Sequence, residues 1–84
     1  RFLFEAPHFR VLVAGLEAGQ RLPVHPEAAA MYHVLEGSGW MTVNDERFAI
    51  GPGATVVVPD GAARGIEADT RLAFLAARAG PAST

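Results

Sequence analysis

The sequence predicts an all-β domain, a sandwich or barrel of short strands, and three observations carry that prediction. Turn signals built from Gly, Pro, Asn and Asp recur about every 8–12 residues. No amphipathic helical pattern fits between them. Several apolar runs rich in Val, Leu and Ile show no single wet face, as expected of strands that line an interior. At 84 residues the chain is read as a single domain over 1–84, with 79–84 as a frayed tail.

Phe9–Leu16 (FRVLVAGL) is the first strand, bounded by Pro7 and by Glu17-Ala18-Gly19. It is apolar on both parities, so one face is expected to meet the core and the other a further layer or a second subunit. Ala54–Pro59 and Leu72–Ala77 read the same way. Between them, Met31–Leu35, Trp40–Val43 and Arg47–Ile50 are strands separated by Gly37-Ser38-Gly39 and Asn44-Asp45-Glu46. Asp60-Gly61 turns again, and Ile66–Thr70 leads into the last strand. Helix is rejected for 16–22 and 26–31, because Pro23, Pro26 and the neighbouring glycines leave too few residues to nucleate one.

Composition excludes several functions. Hydrophobic residues make up 50% and the formal charge is −2, so the chain is neither a disordered segment nor a polyanion binder. Every basic residue is an arginine, and these are scattered rather than clustered into a nucleic-acid track. No apolar run reaches the roughly 18 residues of a membrane span. No cysteine is present, which suits a cytoplasmic setting and removes disulfides and thiolate metal sites. So small a core is thinly stable, and a homodimer is the expected remedy. The start at arginine suggests a trimmed terminus.

The order of signals, Gly19, five residues, His25, then YHVLEG, then GPGATVVVP, then DGAAR, resembles the two motifs of the small single-domain cupins. The likeness runs from about Phe9 to Ala77 and implies a jelly-roll β-barrel with a pocket at one mouth, often as a homodimer. It also implies a metal centre of two histidines, a glutamate and a later histidine. On this sequence His25 stands at the first of those positions and Glu27 at the second. Ala29 or Ala30 falls where the glutamate belongs, and Arg64 takes the last place. A guanidinium cannot ligate and repels a dication, so the expected site is metal-free, with His25 and Glu27 as the only donors a divalent ion could use.

His25 and Glu27 are two apart, so an extended segment projects both to one side. Tyr32 shares the face the family turns inward, which puts His33 on the opposite face; a register slip would instead bring His25, Glu27 and His33 together. Arg64 is either a fork for a carboxylate or phosphate or the partner of Asp60 or Glu67 in a surface ion pair. Trp40 and Phe48 are expected in the core. The ligand-binding set is therefore His25, Glu27, Tyr32 and Arg64, around a pocket for a small polar or anionic molecule. The competing readings are an isomerase, epimerase or dioxygenase-type enzyme using His25, and a dimeric structural or sensor module.

Overall fold

The computed structural model describes residues 1–79, all strand and turn with no helix among them. In chain order the strands are β1 (Phe2–Ala6), β2 (Phe9–Leu16), β3 (Arg21–Pro26), β4 (Ala30–Glu36), β5 (Gly39–Val43), β6 (Glu46–Ile50), β7 (Thr55–Val58), β8 (Ala63–Ala68) and β9 (Leu72–Ala79). They form two sheets, one in the order β1-β2-β9-β4-β7 and the other β3-β8-β5-β6. The registered pairings are antiparallel, and the sheets pack face to face as the jelly roll expected. Of the proposed tail, Ala79 is the last residue of β9, paired to Phe9; residues 80–84 lie outside the described residues.

Parity decides what each strand buries. Leu12, Ala14 and Leu16 of β2, Leu72, Phe74 and Ala76 of β9, and Ala30, Tyr32 and Val34 of β4 build the core side of the first sheet. Met41 of β5, Ile50 of β6 and Ile66 and Ala68 of β8 face them. Trp40, next to the fully buried Met41, must therefore point outward, and the expectation of a core tryptophan is corrected: Arg47 lies over its ring at 4.1 Å. Phe48 does pack against the core.

The apolar outer faces meet no second layer among the described residues. Val57 is 75% exposed, and Met31, Val13 and Leu75 are half-buried. The expectation that both faces are covered thus fails within one chain.

Three strands escaped the sequence reading, β8 among them, since Ala63–Ala68 was read as the end of a turn and a lead-in to the last strand. β1 carries no turn signal of its own and exists by pairing with β2. β3 contains Pro23 and Pro26 and is an edge strand, where a missing N–H does not break the sheet; its ladder to β8 is irregular between Leu22 and His25. The glycine that closes YHVLEG is required sterically. Gly37 has φ +88°, and a Cβ there would stand 1.8 Å from the Arg71 carbonyl oxygen.

Candidate functional site

One mouth of the barrel collects charge that the rest of the interior lacks. The register shows how. Arg64 on β8 is inward-facing and pairs with His25 on β3, while Arg10 on β2 is registered with Arg78 on β9, and Arg78 with Ala30 on β4. Arg10, Arg78 and Ala30 continue the inward parity of Leu12, Ala76 and Tyr32. Below this rim lies a cavity of about 200 Å³ with Leu12, Ala14, Phe74 and Ala76 on its apolar walls. His25, Glu27, Tyr32 and Arg64, the four residues expected at the pocket from sequence, all line this one cavity.

A short ion chain crosses the rim. His25 Nε2 meets Glu27 Oε2 at 2.5 Å, and Arg78 donates to Glu27 Oε1 at 2.5 Å. His25 Nδ1 faces the Pro23 carbonyl at 2.9 Å. With an acceptor at each ring nitrogen, only the imidazolium satisfies both. The Pro23 hydrogen bond, then that of Glu27, accordingly raises the His25 pKa above its ordinary 6.5. Partial burial pushes the Glu27 carboxyl up, but the His25 hydrogen bond and the charges of Arg78, His25 and Arg64 outweigh it and hold it below 4.5. Both shifts favour the ionised pair over the neutral one.

Arg64 does not present its fork to a ligand, nor does it pair with Asp60 or Glu67. It is 3% exposed and donates from Nε to Ala62 O (3.1 Å), from Nη1 to Ala28 O (2.7 Å), and from Nη2 to Glu27 O and Ala62 O (both 2.8 Å). The expected carboxylate clamp is thus corrected to a clasp between the loop before β4 and the loop before β8. Carbonyls satisfy a buried guanidinium well, since each is a strong acceptor that also needs a partner. Glu67 pairs instead with Arg47 at 3.1 Å.

A divalent ion does not fit these residues. His33 lies on the outer face, bonded to Thr55 Oγ1 at 2.7 Å, so the slipped-register triad does not form. Among the described residues no group of three or more His, Cys, Asp or Glu comes together. His25 and Glu27 remain as a donor pair, engaged with each other and with Arg78, beside a second guanidinium.

Sequence reasoning missed Arg78 and Arg10. The available signal was parity: Arg10 falls on the same side of its strand as Leu12, Ala14 and Leu16, and Arg78 on that of Phe74 and Ala76.

A two-sheet antiparallel sandwich with an apolar cavity opening at a polar mouth defines a small β-barrel of the jelly-roll class. The chain belongs to the cupin family: the model for the cupin domain matches residues 9–77. Solved structures agree. A conserved protein of unknown function from Streptococcus pyogenes is 26% identical with a TM-score of 0.88, over 96% of this chain and 72% of that one. An RmlC-like cupin from Shewanella frigidimarina reaches a TM-score of 0.93 at 16% identity, over 98% and 75% of the two chains. A salicylate 1,2-dioxygenase mutant from Pseudoaminobacter salicylatoxidans is 25% identical with a TM-score of 0.81, over 86% of this chain but 21% of that one. No curated protein matches the chain.

Proposed function

We propose that this chain is a small-molecule-binding cupin that works without a metal, its pocket suited to a small polar or anionic ligand. One observation carries the reading: a cation-rich rim, with His25, Arg64 and Arg78 around the single carboxylate of Glu27, crowns an apolar cavity. A rim of that sign attracts anions, while the walls accept a hydrocarbon body. The cavity is smaller than the roughly 300–1,000 Å³ of drug-sized sites, so the ligand is small.

The enzyme alternatives find less support. A general base needs a free lone pair near neutral pH, and both His25 nitrogens face acceptors. Oxygenase-type chemistry at a non-haem iron uses two histidines and a carboxylate, and the mouth offers His25 and Glu27.

The test is a denaturation series with sugar acids, phosphates and mono- and dicarboxylates, where a ligand at a hundred times its Kd adds about 2.7 kcal/mol. No shift with any anion overturns the reading. Elemental analysis of untagged protein tests the metal clause, which a full equivalent of bound metal removes.

A homodimer, in the cytoplasmic setting that the absence of cysteine suits, is the second reading. It is favoured by Phe2, Leu3, Phe4 and Phe9, each between 43% and 55% exposed on and beside edge strand β1. Exposed aromatics on an open edge are an interface or a liability. Sedimentation at micromolar concentration should give a dimer that Phe4→Ser dissociates; a clean monomer sinks this reading.

A further inference from the structure

The inward face of the first sheet holds a second buried arginine that the ion chain does not use. Arg10 is 8% exposed, yet its Nε has no hydrogen-bond partner. Among the described residues its guanidinium enters no ion pair, and it lies over the Phe2 ring, 5.8 Å from the centroid. Burying a cation without a counter-ion is costly. The cost grows because its registered neighbour across the β2–β9 ladder is Arg78, and like charges directly opposite destabilise a sheet. Of the two, only Arg78 has a carboxylate, and it shares Glu27 with His25.

The space in front of this pair is open. A second cavity of about 380 Å³ has Arg10, Arg78, His25 and Glu27 on its walls, and the last three also line the apolar cavity below. The two cavities therefore meet at the ion chain. Glu27 lines both, and its carboxylate already shows how an oxyanion sits on Arg78.

We propose that Arg10 and Arg78 form an oxyanion site for the carboxylate of a small organic acid whose apolar body enters the lower cavity, Glu27 being the resident counter-ion that the ligand displaces from Arg78. The ligand supplies the acceptor that Arg10 lacks, and an arginine fork matches the two oxygens of a carboxylate. This rests on the reading of the mouth as a small-molecule site.

Titration of ¹⁵N-labelled protein with benzoate, its neutral isostere benzamide and inorganic phosphate tests it. Benzoate should bind and shift the Arg10 Nε–H resonance, a readout that needs no variant. Benzoate affinity should fall about tenfold or more in Arg10→Gln, the loss expected for one charge-assisted hydrogen bond, and Glu27→Gln should tighten it by removing the competitor. Equal binding of benzoate and benzamide with the Arg10 signal unmoved overturns this inference and leaves the pocket reading standing. Phosphate binding without benzoate binding overturns the assignment to an organic acid. If none of the three binds and the anion series is also silent, both readings fall.

Discussion

Arg64 and Arg10 sit at the same mouth on opposite sheets, 3% and 8% exposed, and differ in everything except burial. Arg64 has carbonyls on each of its three nitrogens and fastens the Glu27-Ala28 segment to the Pro59–Ala62 segment. Arg10 has a buried Nε with nothing to donate to. Burial of a cation alone therefore does not mark a site. The number of acceptors around it separates a fastening built into the fold from a charge held for something else.

The largest effect should come from Arg64→Met, which strips partners from the carbonyls of Glu27, Ala28 and Ala62. A loss of about 3 kcal/mol or more in urea denaturation is expected, a large share of the roughly 4–12 kcal/mol such a domain commands. Arg64→Lys should recover little, because one ammonium cannot span the same acceptors. A loss below about 1 kcal/mol would break the comparison. Next comes Arg10→Met, with the opposite sign. Removing an uncompensated buried charge should leave stability unchanged or raise it by up to about 2 kcal/mol, while abolishing the preference for benzoate over benzamide. A clear destabilisation would mean that Arg10 is a second fastening.

The frame of this fold was legible because its strands are Val- and Leu-rich runs between glycine turns, and local chemistry of that kind survives in sequence order. β3 was hidden by its prolines, which only an edge position tolerates, and β1 by having no determinant except its partner. His25, Glu27, Tyr32 and Arg64 were found through motif position, which located them at one cavity but could not say which way each polar group turns. Arg64 shows the limit: the carbonyls it binds come from loops far apart in sequence. Arg10 and Arg78 become neighbours only through the β2–β9 register, a long-range pairing no local spacing announces.

The smallest effect concerns the ion chain from His25 through Glu27 to Arg78. The His25 pKa is raised, so its contribution to stability is complete below about 6.5 and is lost as pH rises through the folded value. The Glu27 pKa is lowered, so its contribution is present above about 4.5 and is lost as pH falls through the folded value. The pair therefore stabilises most between those limits. With the His25 side chain 53% exposed, solvent screening keeps the gain under about 1 kcal/mol. Denaturation midpoints at pH 5.5 and 8.5, compared between the wild type and His25→Gln, isolate it from His8 and His33. The wild type should lose more stability on going to the higher pH than the variant does, and Arg10→Met should follow the wild type, since among the described residues Arg10 forms no ion pair with either member. Parallel profiles for wild type and His25→Gln would show that the His25–Glu27 contact adds nothing to the fold, leaving Arg64 and the Arg78–Glu27 pair to hold the mouth together.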